Sequence, residues 1–279
     1  YKRQPGAYTE THVGDSSDDR ANPTGTPGSF VSDPTDTTLP TVDREETPIT
    51  YTQTRTESLS PRVARRRRLV SALPDSPAGS SYKVLRTQIL HRLRTYDWNS
   101  IAITSPVRAD GKSLTAVNLA ISLANEVNQT VLLVDFDLRQ PSVHRYFDVK
   151  PEFGLSDYIL HDAELPSMLF NPGIEGLVVL PGRERISNSS EAISSPKVVR
   201  LVEDLKTRYP SRIVLFDVPP LLAGDDALAF SPYVDSVLLV AREGKTKRSD
   251  LVLATELLGN KPIIGTVLNE SEEKLDAYY

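Results

Sequence analysis

The sequence predicts an α/β fold, a doubly wound and mostly parallel sheet with a long disordered tail ahead of it. Three observations carry that expectation. From about residue 80 onward, short β-branched runs alternate with helical patterns, and strands alternating with helices close into right-handed βαβ crossovers. The first 60 residues hold few large apolar side chains. Three segments carrying Lys, Ser or Asp stand at the ends of three of the runs, the carboxyl edge at which open parallel sheets bind ligands.

Between Tyr1 and Ser60 the large aliphatic or Phe side chains are Val13, Phe30, Val31, Leu39, Val42, Ile49 and Leu59. Thr, Ser, Asp and Pro fill most of the remainder, and such a segment cannot bury enough apolar surface to offset its ordering entropy. Residues 1–78 are therefore expected to be a disordered tail and linker, with a basic cluster at 62–68, "RVARRRR". That cluster reads either as a solvated linker or as a patch drawn to an anionic membrane surface, at about 1 kcal/mol per basic residue. The folded domain is expected over 79–270. In it, Tyr82, Leu85, Ile89 and Leu93 share one face of an opening helix. Ser100–Thr104 is the first buried strand, and Ser113–Val127, apolar on most sides, is a helix packed on the sheet. Thr130–Asp135 is a second strand and Leu177–Leu180 a weaker one. Ser195-Pro196 supplies an N-cap and first-turn proline for a helix that turns Val198, Leu201, Val202 and Leu205 inward. Arg212–Asp217, Ser236–Ala241 and Ile263–Asn269 complete the strands, with Ser249–Leu258 helical between the last two. Residues 271–279 are expected as a flexible tail ending in Tyr278 and Tyr279.

Composition narrows the chemistry. Cysteine is absent, which excludes disulfides and thiolate metal sites and fits a reducing cytosol. His12, His91, His144 and His161 show no metal-ligand spacing, and no apolar run approaches the ~20 residues that cross a bilayer. The sole methionine is Met168, so Tyr1 is not an initiator and an upstream signal or anchor stays open. A net charge of −5 argues against general nucleic-acid binding.

The first loop, "TSPVRADGKS", departs from the phosphate-binding pattern G-x-x-x-x-G-K-[ST]. Pro106 stands where the first glycine belongs, while Gly111-Lys112-Ser113 is intact. Between a strand and a helix, the backbone N–H groups and helix N-terminus form a nest for phosphate. Arg108, Ala109, Asp110, Gly111, Lys112, Ser113 and Leu114 are the expected nucleotide-binding residues. Lys112 neutralises phosphate oxygens, and Ser113 offers its hydroxyl to Mg²⁺. Ala109 costs about 1 kcal/mol if its position needs positive φ, less than several charge-assisted hydrogen bonds of roughly 1.5–3 kcal/mol each return. Asp217 follows "IVLF" in Walker B form. Asp135 and Asp137 in "VLLVDFD" are spaced to face one side of a continuing strand. Two carboxylates there can share work, one holding hydrated Mg²⁺ and one accepting a hydroxyl proton. Arg139 either touches phosphate or pairs with a nearby acid, and Asp225-Asp226 reads either as a helix cap or as a secondary contributor to the site.

Together "VLLVDFDLRQPSVHRYF", "SNSSEAISSPKV" and "IVLFDVPPLLAGDDALAF" resemble the bacterial tyrosine kinases of capsule and exopolysaccharide synthesis, P-loop NTPases, from about Tyr82 to Asn269. The resemblance implies transfer of the ATP γ-phosphate to tyrosine. It makes Lys112, Asp135 and Asp137 catalytic, makes Ser113, Asp135 and Asp217 the magnesium-side residues, and gives Asn269 an adenine contact. It also implies Tyr278 and Tyr279 as phosphoacceptors, a transmembrane chain-length (co-polymerase) partner, homo-oligomers, and a cytoplasmic place at the inner face of the membrane. Three features depart from the family pattern. Arg108-Ala109 replaces Pro-Gly, the ring-assembly motif E-x-x-R-x-x-R reads Ser80, Lys83, Arg86, and the tyrosine cluster shrinks to two.

Two other functions compete. A partition or division-site ATPase would carry a signature lysine where Val107 stands. A nucleotide-sensing adaptor would bind ATP without turning it over.

Overall fold

The computed structural model describes residues 54–74, 76–209 and 211–271. Eight strands form one sheet: β1 (Arg55–Thr56), β2 (Ser100–Thr104), β3 (Thr130–Asp135), β4 (Phe170–Asn171), β5 (Leu177–Leu180), β6 (Arg212–Asp217), β7 (Ser236–Arg242) and β8 (Ile263–Asn269). Their order is β1-β4-β5-β3-β6-β2-β7-β8. Neighbours pair in parallel except β4 with β5, so the six strands read from the sequence make a parallel array with short additions at one edge.

Alternation along each strand gives the sheet two buried faces. Ile101, Ile103, Val131, Leu133 and Leu215 pack into one cluster with helices Pro77–Tyr96 and Lys112–Ala124. Ala102, Leu132, Val134, Val214 and Phe216 pack into the other, against helix Pro196–Thr207. The last helix forms as its sequence requires. The Ser195 hydroxyl accepts from the Val198 N–H at 3.3 Å, Pro196 opens the first turn, and Val198, Leu201, Val202 and Leu205 are buried. Helix Lys112–Ala124 is covered almost all round, with every residue from Thr115 to Ala124 buried. It stops three residues short of Val127, which is left largely exposed.

One boundary is corrected. Ordered structure begins well before residue 79: β1, a helix at Pro61–Arg66 and a 3-10 turn at Val70–Ala72 precede the long helix. Ala64 and Leu69 are buried in the first cluster, and Leu59, Ala72 and Leu73 pack against it. Averaging composition over the tail hid this, because its apolar residues crowd into the stretch after Ser58. The disorder expected for residues 1–53 and the tail 272–279, with Tyr278 and Tyr279, lie outside the described residues.

Candidate nucleotide and metal site

The loop after β2 and the ends of β3 and β6 meet at one edge of the sheet. Asp135 and Asp217 are register partners on adjacent parallel strands, so the two carboxylates sit side by side, both fully buried. Asp137 lies two residues past the end of β3 and is also buried. Lys112 opens the helix that follows the loop. Its Nζ reaches Asp137 Oδ2 at 2.9 Å and Asp217 Oδ1 at 3.1 Å and donates to Ser113 Oγ at 3.2 Å. The parallel βαβ unit brings these side chains together across more than a hundred residues of chain.

Loop shape follows from a few contacts. Gly111 has φ of +94° and Ala109 φ of +68°, so Ala109 carries the left-handed strain foreseen for it. Asp110 is buried and its carboxylate accepts from the Val107 N–H at 3.3 Å. Asn269, at the end of β8, donates from Nδ2 to the Asp110 carbonyl at 2.9 Å. The backbone N–H groups of Leu221 and Leu222 donate to the carbonyls of Ser105 and Pro106, tying the phosphate loop to the segment after Asp217.

Electrostatics set the chemistry. Burial alone would pull the Lys112 pKa down, but Asp217 and Asp137 outweigh it and hold the ammonium above the ordinary lysine value. Burial first, and the Asp217 charge second, push the Asp135 carboxyl up to about 7, against the Val143 N–H, Lys112 and the Ser142 N–H. Those two N–H groups donate to Asp135 Oδ2 at 2.9 and 2.8 Å. Asp217 is likewise raised, by burial, with Lys112 opposing. Oδ1 of Asp135 and Oδ2 of Asp217 are buried without a hydrogen-bond partner. With all three carboxylates ionised against one ammonium the formal charge is −2, an excess that burial resists by raising Asp135 and Asp217, and buried unpaired carboxylate oxygens are costly. A divalent cation fits that excess. Among the described residues no group of three acidic or imidazole side chains forms a complete metal cage. Mg²⁺ takes one or two carboxylates and fills its sphere with water and phosphate.

Arg108, Ala109, Gly111, Lys112, Ser113 and Asp137 line a cleft of about 240 Å³ together with Tyr146 and Arg145. Of the remaining expected nucleotide-binding residues, Asp110 shapes the loop, Leu114 packs against the first cluster, and Asn269 and Leu114 border a separate hollow on the far side of the loop. Asp225-Asp226 is not a side-chain cap: Asp225 takes the N-cap position of helix Asp226–Phe230 but makes no capping hydrogen bond. Instead Asp226, fully buried, accepts from Arg139 Nε at 2.8 Å and Nη2 at 2.6 Å, and from the Ser189 hydroxyl at 2.7 Å. Arg139 is thus held by acid. Arg86, the last position of the altered ring motif, donates to the Ser122 carbonyl and pairs with Glu126 of its own chain. Sequence reasoning missed the Ser142 and Val143 N–H groups and Tyr146. Backbone donors leave no residue signature.

A family profile described as ATPase MipZ matches residues 101–171, the stretch with the phosphate loop, Asp135 and Asp137. Tyrosine-protein kinase YwqD of Bacillus subtilis is 32% identical over 212 residues, which cover 75% of this chain and 88% of that protein. Tyrosine-protein kinase ptk of Acinetobacter johnsonii is 31% identical over 207 residues, 73% of this chain, but the chain spans only 28% of that longer protein. Among solved structures, the kinase domain of Escherichia coli tyrosine kinase ETK superposes with a TM-score of 0.66 at 27% identity, covering 81% of this chain and 94% of that domain. With an acid-clamped lysine, a strained phosphate loop and two paired strand-end aspartates already in place, these likenesses converge: the chain belongs to the family of bacterial tyrosine-protein kinases.

Proposed function

We propose that the protein is an ATP-dependent tyrosine autokinase that uses Mg²⁺ and regulates exopolysaccharide or capsule synthesis and export with a transmembrane co-polymerase partner. The observation that carries the reading is Lys112, suspended between Asp137 and Asp217 beside carboxylate oxygens of Asp135 and Asp217 that lack any partner. Ser113, Asp135 and Asp217 would hold the metal, which supplies charge neutralisation at the β- and γ-phosphates.

The chain's own groups do the rest. Lys112 exchanges its carboxylates for phosphate oxygens. Positive φ at Gly111 lets the loop N–H groups approach the phosphates closely. Release of Lys112 frees Oδ2 of Asp137 to accept the tyrosine hydroxyl proton. The phenolate oxygen forms its bond to the γ-phosphorus as the bond to the bridging oxygen breaks and ADP leaves. Catalysis is then positioning and electrostatics. Asn269 and the hollow beside it are the proposed adenine side. Tyr278 and Tyr279 are the proposed acceptors, donated to a neighbouring copy. Among the described residues no helix is long and apolar enough to cross a membrane, so we place the chain at the inner face through its partner and the exposed arginines of 62–68.

Labelled ATP tests this. Phosphotyrosine should form in the wild type, vanish in Lys112→Met and Asp137→Asn, and fall sharply in Tyr278→Phe/Tyr279→Phe. Mg-ATP binding with no phosphotyrosine beside any membrane partner would move the protein to the nucleotide-sensing class.

A further inference from the structure

The arginine-rich segment is not a free linker; it is seated on the two elements that carry the site. Arg62, Arg65 and Arg66 stand on one face of helix Pro61–Arg66, three and four residues apart, while Ala64 is buried behind them. Arg62, Arg65 and Arg68 are exposed and make no ion pair among the described residues. Arg66 and Arg67 converge on Asp148, at 2.7 and 3.1 Å. Asp148 ends the turn whose first N–H groups, on Ser142 and Val143, hold Asp135, and whose Tyr146 lines the cleft. On the other side, the buried Asn118 of the phosphate-loop helix donates to the Arg68 carbonyl at 3.1 Å and to the Leu114 carbonyl at 3.0 Å, and accepts from the Ser71 N–H at 3.1 Å. A displacement of this segment therefore reaches both Asp135 and the helix opened by Lys112.

We propose that an anionic bilayer surface docks on Arg62, Arg65, Arg66 and Arg68 and, by drawing Arg66 and Arg67 off Asp148, weakens nucleotide binding at the site. The ligand is an extended surface because Arg62, Arg65 and Arg66 share one exposed face of the helix, opposite the buried Ala64. Outside this cluster of five arginines the chain carries a net −10 (−5 less +5), which disfavours wrapping by a flexible polyanion such as nucleic acid. The proposal rests on the nucleotide-site reading and adds its regulation. Reciprocity requires that nucleotide also weaken membrane binding by the same factor. Each exposed ion pair lost is small, so the expected coupling is about two- to fivefold in Kd.

The test uses the full chain, vesicles of phosphatidylcholine with or without phosphatidylserine, and a fluorescent ATP analogue with Mg²⁺. The chain should bind the acidic vesicles and not the neutral ones, and nucleotide Kd should rise about two- to fivefold on the acidic ones. Arg62→Gln/Arg65→Gln should weaken vesicle binding by about twentyfold or more with nucleotide affinity in solution unchanged. Asp148→Asn should keep both binding events and lose their coupling. No binding to acidic vesicles, tighter binding to duplex DNA than to vesicles, an unchanged nucleotide Kd on vesicles, or coupling that survives Asp148→Asn would each overturn the proposal. Absence of nucleotide binding without vesicles would instead overturn the site reading beneath it.

Discussion

Replacing Gly111 with alanine tests the shape of the phosphate loop directly. At φ +94° the new Cβ lies in a backbone region that L side chains rarely adopt, at a cost of roughly 1–2 kcal/mol. That Cβ would also overlap Nδ2 of Asn269 and stand 3.1 Å from its Cγ. The amide must swing away and give up its bond to the Asp110 carbonyl, worth roughly 0.5–1.5 kcal/mol. The sum, about 1.5–3.5 kcal/mol, is a loss of roughly 12- to 300-fold in Mg-nucleotide affinity if the loop must hold this shape to bind. Asn269→Ala alone should cost about tenfold or less. The double variant separates the two causes. With the amide gone there is nothing left to collide with, so the pair should be clearly less damaging than the product of the single effects. Titration of a fluorescent nucleotide against the four proteins reads this out. Gly111→Ala binding within threefold of wild type, or strictly multiplicative effects, would show that loop shape and the Asn269 contact do not govern the site.

The other predictions concern the groups around it. Asp226→Ala leaves the Arg139 guanidinium, which is 31% exposed at its side chain, with only the exposed Asp225 at 3.3 Å and the Ser189 hydroxyl. Partial solvation tempers the cost to about 2 kcal/mol, and urea unfolding with a loss under 0.5 kcal/mol would count against a structural pair. In metal-free protein the raised Asp135 carboxyl contributes stability that is present below the unfolded value near 3.8 and is lost as pH rises through about 7. Asp135→Asn should remove that decline in thermal stability, and a wild-type curve flat from pH 5 to 8 would contradict it. Asp235 has the opposite sign. Burial raises it, but Ser100, Lys206 and the Asn99 N–H together hold it below the ordinary value, so its contribution is present above pH ~4 and is lost as pH falls through the folded value. Asp235→Asn should flatten acid denaturation below pH 4, and an unchanged acid limb would refute the assignment.

The strands were legible because each is a short β-branched run of the length a parallel sheet buries. The weakest, Leu177–Leu180, still took its place beside β3. Lys112, Ser113, Asp135 and Asp217 were legible for a related reason: charge at the end of an apolar run has to be used. The two-residue strands β1 and β4 were not, since Arg55-Thr56 and Phe170-Asn171 carry no periodicity to read. Arg139 offered two readings that only a partner could separate, and Asp226 supplies it.

Sequence by itself determined the parallel core, its two apolar faces and the acids and lysine at its carboxyl edge, because alternation and strand-end charge are local properties of the chain. Tertiary structure alone decided which acids clamp Lys112, why Asn269 leans on Gly111, and that the arginine segment sits on Asn118 and Asp148. Those facts join residues from 25 to 159 positions apart, and no local pattern encodes a contact that exists only after the crossovers have closed.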